Sequence, residues 1–205
     1  MAVQQSCRRS KTCADPDGGR HAGVARRRWI LGGAVALLAM CAPIGAGAAG
    51  DVSDADLQAG ARAMGFLDSL PHDGVVVIGV VYSGVAPDGK AQAQQTAERL
   101  RAIAGPNNAR FQPTLIPVET LRQTQDRLDV LYLMPGVSAF AGTIVETARQ
   151  RHLLTISDDP VCLETGCCIL MVRAERRVEI VLDIALADAV GVHFPSVFMM
   201  LVTRK

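Results

Sequence analysis

The run Val75-Val76-Val77-Ile78-Gly79-Val80-Val81 constrains the fold of this chain more than any other segment. No polar side chain alternates with the β-branched ones, so a strand built from it has no face to offer to water. A strand that is apolar on both faces must be covered on both, as happens in parallel sheets flanked by helices. The pattern returns in Val130-Leu131-Tyr132-Leu133-Met134 and, shorter, in Leu153-Leu154-Thr155-Ile156.

The stretches between these runs carry helical spacing. Asp54 to Leu70 reads as a helix with Leu57, Ala61, Met64, Phe66 and Leu67 on one stripe, ended by Pro71-His72-Asp73-Gly74. Lys90 to Ala104 reads as a helix with Ala93, Ala97, Leu100 and Ile103 inward, stopped at Gly105-Pro106-Asn107. Phe111 to Val118 is a strand, and Glu119 to Asp126 a short helix. Ser138 to Gln150 is a helix with Ser138 as its N-cap. Further on, Cys168 to Val172 and Val178 to Leu182 form a hairpin around Ala174-Glu175-Arg176-Arg177. A helix from Asp183 to Val190 breaks at Gly191, and an apolar helix runs from Pro195 to Val202. Strands alternating with helices predict a single α/β domain: a mainly parallel sheet flanked by helices, with right-handed crossovers and a C-terminal β-hairpin.

Charge divides the chain in two. Arg8, Arg9, Lys11, Arg20, Arg26, Arg27 and Arg28 face only Asp15 and Asp17 in the first part, so residues 1–48 carry +5 of the overall +1 and the remainder −4. Arg26-Arg27-Arg28 precede an apolar run from Trp29 to Cys41, and Ala46-Gly47-Ala48 follows. A basic region, an apolar region and an A-x-A site in that order predict a signal peptide cut after Ala48. The apolar run is short of the roughly 20 residues that a bilayer span needs. Residues 1–48 are therefore expected to be leader and signal peptide, and 49–205 one exported domain. The arginines suit general or twin-arginine export, and translation from near Val24 would give a signal peptide of ordinary length. Met40 before Cys41 is too large for a lipoprotein cleavage site. The mildly acidic body and the 4% aromatic content argue against nucleic-acid binding.

No catalytic or cofactor motif stands out. Gly79, Gly84 and Gly89 are misspaced for a nucleotide fingerprint. His72, His152 and His193 lie in separate segments, and no cofactor, metal or enzymatic activity is expected. Ser157, Asp158 and Asp159 follow a buried strand, where open α/β sheets bind ligands, so they are a candidate binding loop. Turn formation before Pro160 would also account for the aspartates. Cys162, Cys167 and Cys168 cluster in the exported part, where oxidation favours a disulfide. Adjacent strand residues face opposite ways, so only one of Cys167 and Cys168 suits Cys162. Cys168 is the closer fit because Cys167 follows Gly166 at the turn, leaving Cys167 as a free, redox-sensitive or chain-linking thiol.

Leu153-Leu154-Thr155-Ile156-Ser157-Asp158, Gly166, Val178 to Asp183, and Ala185 to Gly191 together resemble the YfiR family of exported bacterial proteins. The likeness is good over residues 153–202, and over 57–150 it holds in the order of elements. Two positions depart from the family pattern: Cys167 stands where a second glycine is usual, and Asp183 where an asparagine is. The aromatic-rich first helix is reduced to Phe66 to Pro71. The resemblance implies a periplasmic regulator, acting as a homodimer with disulfide-dependent behaviour. It would restrain a membrane diguanylate cyclase by binding the cyclase's periplasmic domain, and so tune cyclic-di-GMP signalling and biofilm formation. Phe194 and Phe198, in the last apolar helix, are candidate interface residues, with core packing as their other reading. The rival function is a small solute-binding protein with Val80-Val81-Tyr82-Ser83-Gly84 as its ligand loop.

Overall fold

The computed structural model describes residues 52–67, 69–70 and 74–205. These residues belong to one compact unit. The leader, its cleavage site and Pro71-His72-Asp73 lie outside the described residues.

Helix α1 (Asp54–Met64) begins with a reciprocal cap. Ser53 Oγ accepts from the Asp56 N–H (3.1 Å), and Asp56 Oδ2 accepts from the Ser53 N–H (3.0 Å). Its inward side is Leu57, Ala59, Ala61, Ala63 and Met64, small enough to let the helix lie close to the sheet. It ends well before the predicted Leu70. The Gly65 N–H bonds back to Arg62 O (3.1 Å), and the chain then turns to bury Leu67 and Leu70.

The remaining elements are β1 (Val75–Tyr82), α2 (Gly89–Ala102), β2 (Arg110–Pro117), β3 (Val130–Leu133), α3 (Ala141–Arg151), β4 (Leu154–Ser157), α4 (Pro160–Glu164), β5 (Leu170–Ala174), β6 (Val178–Leu182), α5 (Ile184–Val190), α6 (Ser196–Met199) and β7 (Thr203–Arg204). They form a seven-stranded sheet in the order β2-β1-β3-β4-β5-β6-β7. The first five strands in that order run parallel, β6 returns antiparallel to β5, and β7 lies parallel to β6. This is the expected α/β domain with its hairpin. Strand β2 is an edge and carries Pro113 and Pro117, whose missing N–H groups are tolerated there. The central strands are buried as their composition demands: Val80, Val81, Val130, Leu131, Leu133 and Ile156 are all inside. Gly79 sits mid-strand because a Cβ there would come within 2.9 Å of Ile116 and 3.0 Å of Leu131.

Some local expectations are revised. Ser138 does not cap α3; it opens a 3-10 turn, Ser138–Phe140, and α3 starts beyond it without a side-chain cap. A 3-10 segment, Val118–Gln123, stands where a short helix was expected and tucks in Val118 and Leu121. The last apolar helix is shortened to α6, since the chain turns after Met199 and brings residues 203–204 alongside β6. Neither α4 nor β7 is visible in the periodicity, since each is too short to show one.

Candidate functional site

The C-terminal ends of β3, β4 and β5 meet at one edge of the sheet, the edge where open α/β sheets bind ligands. A cleft of about 560 Å³ opens there. One wall is the start of α1, with Ser53 and Asp56. The others are Pro135 and Gly136 after β3, Asp158 to Val161 after β4, and Arg173 to Glu175 at the β5–β6 turn.

The loop singled out in the sequence divides into three roles. Ser157 is fully buried; its Oγ donates to Leu133 O (3.0 Å) and accepts from the Asp159 N–H (3.1 Å), fastening β4 to β3. Asp159 caps α4, its Oδ1 accepting from the Val161 N–H (2.9 Å). Only Asp158 keeps most of its acceptor capacity for the cleft. Its Oδ1 receives a long hydrogen bond from the Tyr132 hydroxyl (3.4 Å). Burial pushes the Asp158 carboxyl up to about 6, and the neighbouring charges of Asp56 and Asp159 push the same way, against hydrogen bonds from its own backbone and from Tyr132. Burial also holds the Tyr132 phenol well above its ordinary range, helped by the charge of Asp158. Tyr132 therefore stays a neutral donor.

Other charges on the cleft wall are already engaged. Asp56 accepts from the Ser53 N–H and Oγ and from the Ala174 N–H, which ties α1 to the β5–β6 turn. Arg173 pairs with Glu175. Among the described residues no ion pair reaches Asp158. Asp56, Tyr132 and Arg173 were not singled out as site residues. A phenol inside an otherwise aliphatic, doubly buried strand was the available signal, because a buried hydroxyl needs a partner.

The cysteine assignment changes. The bridge joins Cys162 to Cys167, with Cα atoms 5.2 Å apart, and Cys168 is the buried free thiol. Cys167 and Cys168 would face opposite ways on a strand that began at Cys168, whereas β5 starts at Leu170. Helix α4 turns Cys162 inward, and Gly166, at φ 69°, reverses the chain so that the Cys167 N–H reaches Cys162 O (2.8 Å). Burial pushes the Cys168 thiol up to about 12, so it is a poor nucleophile.

Phe198 takes the core reading rather than the interface one. It is 1% exposed and packs between Phe194 (ring centroids 4.8 Å apart) and Phe66 (4.9 Å). Phe194 is half-buried, and the exposed apolar residues beside it are Val197, Met200 and Leu201. The suggested ligand loop after β1 does not line the cleft: the Gly84 N–H is taken by Glu119 Oε1 (3.1 Å). His152 caps α3 with its Nδ1 2.8 Å from Val190 O, His193 is exposed, and His72 lies outside the described residues. Among the described residues, no group of three or more His, Cys, Asp or Glu is placed to hold a metal ion. None of the described helices is long and apolar enough to cross a membrane.

A family model described as YfiR/HmsC-like matches residues 85–203, from the loop before α2 through β7. No curated protein sequence matches the chain significantly. Among solved structures, a conserved domain protein from Vibrio cholerae superposes with a TM-score of 0.55 at 13% identity, over 73% of this chain and 60% of that one. An ABC domain in complex with L-Trp from Streptococcus pneumonia gives 0.53 at 11% identity, with the same coverage of 73% and 60%. At such identities the likeness is one of fold. This chain spans about three fifths of each of those chains.

Proposed function

The chain belongs to the YfiR/HmsC-like family, and from that premise we propose that it is a non-enzymatic periplasmic regulator. It binds the periplasmic domain of an inner-membrane diguanylate cyclase and restrains it, which tunes cyclic-di-GMP signalling and biofilm formation. The observation that carries this reading is the family match, which runs unbroken over the α2–β7 part of the fold. The reading includes export by a cleaved signal peptide and action as a homodimer. Half-buried Phe194, with exposed Val197, Met200 and Leu201, supplies the apolar face that meets the cyclase.

The test is the cyclic-di-GMP content of cells lacking the protein, beside wild type and a complemented strain. A rise that complementation reverses is expected. An unchanged level, with the protein detected in wild-type periplasm, would overturn the reading. Met200→Asp should then leave the melting temperature unchanged and fail to complement.

One observation favours a second reading, a small solute-binding protein: the cleft over the strand ends, in a fold shared with an ABC domain in complex with L-Trp. Transport of a solute lost with the protein, at unchanged cyclic-di-GMP, would select it.

A further inference from the structure

We propose that the cleft over β3, β4 and β5 binds a small organic cation, a primary amine on an apolar body, with its ammonium group seated against Asp158. The proposal rests on the cleft alone and holds whether or not the protein restrains a cyclase.

The cavity comes first. Its volume of about 560 Å³ lies within the range of small-molecule sites. It sits at the sheet edge that α/β proteins use for ligands. Two features then choose the ligand. Arg173 is engaged by Glu175, so that pair brings no net charge, while Asp56, Asp158 and Asp159 leave the cleft negative. Asp56 is saturated by Ser53 and Ala174, and Asp159 is bound as a helix cap. Asp158 is the carboxylate left for a ligand, with one long phenol contact as its side-chain partner. A carboxylate removed from water without a cation is costly, and an ammonium ion arriving from solution offsets that cost. The Tyr132 hydroxyl is the side-chain donor to that carboxyl.

The walls choose the rest of the ligand. Pro135, Pro160 and Val161 add apolar surface to the cleft wall, suited to a hydrocarbon or aromatic body. A free amino acid fits less well. Its carboxylate would meet Asp159 and Asp56, and Arg173 could receive it only by leaving Glu175.

Calorimetric titration of the purified full-length protein tests this with three probes that share one body. Phenethylamine has the ammonium, 2-phenylethanol replaces it with a neutral hydroxyl, and phenylalanine adds a carboxylate. Saturable binding of phenethylamine is expected, with the other two at least about tenfold weaker. Asp158→Asn should weaken phenethylamine by about tenfold or more, while Asp188→Asn, on α5 and away from the cleft, leaves it unchanged. Circular dichroism establishes that both variants are folded. The proposal is overturned if wild-type protein shows no saturable binding up to about 10 mM, a limit below which even weak sites register. It is equally overturned if the alcohol binds as well as the amine, or if Asp158→Asn binds as well as wild type. None of these outcomes touches the cyclic-di-GMP measurement.

Discussion

Strands β1 and β4 are alike in the middle and unlike at their C-terminal ends. Both are aliphatic and buried between helices, and both pair in parallel with β3. Beyond β1 the chain closes on itself, with the Gly84 N–H donating to both oxygens of Glu119 (3.1 and 3.3 Å). Beyond β4 it opens, and Asp158 lines a cleft with Tyr132 as its one side-chain donor. The same core chemistry thus supports a sealed exit or an open one. The choice is made by the two or three residues after the strand and by whether a partner elsewhere has already used their hydrogen-bonding groups.

The largest effect is expected in the middle that the two strands share. Gly79→Val should cost about 3 kcal/mol in urea unfolding, because its side chain must displace Ile116 and Leu131 in a filled core. The open exit responds differently. In the folded protein the Asp158 carboxyl is raised from 3.8 to about 6. The native state therefore holds that proton more tightly than the unfolded chain does. Stability is fullest below the ordinary carboxylate value and declines as pH rises through the window up to about 6. The groups facing this carboxyl are Asp56 from α1, Asp159 from its own loop and Tyr132 from β3, with the Arg173–Glu175 pair on the opposite wall. Asp158→Asn should flatten the decline and gain about 2 kcal/mol above that window, allowing for partial solvation. Urea titrations at several pH values would show it. An unchanged slope would mean that the β4 exit is wetter than its geometry indicates.

The α4 loop sets a smaller effect. Replacing both Cys162 and Cys167 by Ala should cost up to about 2 kcal/mol, the entropy of so short a closed loop. Cys168 should resist iodoacetamide in the native protein and react once it is unfolded, as peptide mapping would report. The smallest expected effect tests the sealed exit. Glu119→Ala should cost about 0.5–1 kcal/mol, since the bonds to Gly84 are exposed to solvent. A much larger loss would make the β1 exit a structural keystone and deepen its contrast with β4.

The parallel sheet and its hairpin were legible because β1, β3 and β4 are long enough, or apolar enough, to declare burial on both faces. The disulfide was not, because its pairing depends on where β5 begins, and a shift from Cys168 to Leu170 removes the alternation that the argument needed. Phe198 was open to an interface or a core reading because one sequence window cannot show that Phe66 and Phe194 enclose it. The binding loop was half legible. Asp158 was placed correctly after β4, but its neighbours Ser157 and Asp159 turned out to be fasteners, and Asp56 came from the far side of the chain. Long-range hydrogen bonds such as Asp56 to Ala174 leave no periodic trace.

That last bond has a consequence for how the protein is made. It spans 118 positions, and α1 packs across β5 rather than against the strand that follows it. A chain leaving the ribosome presents α1 long before β5 exists to pack against it. The contact of α1 with β5 can therefore form only after most of the sheet has been synthesised. Long-range closure of this kind slows folding. For a chain read as an export substrate the delay is useful, since a segment that cannot dock early keeps the polypeptide loose enough to be threaded.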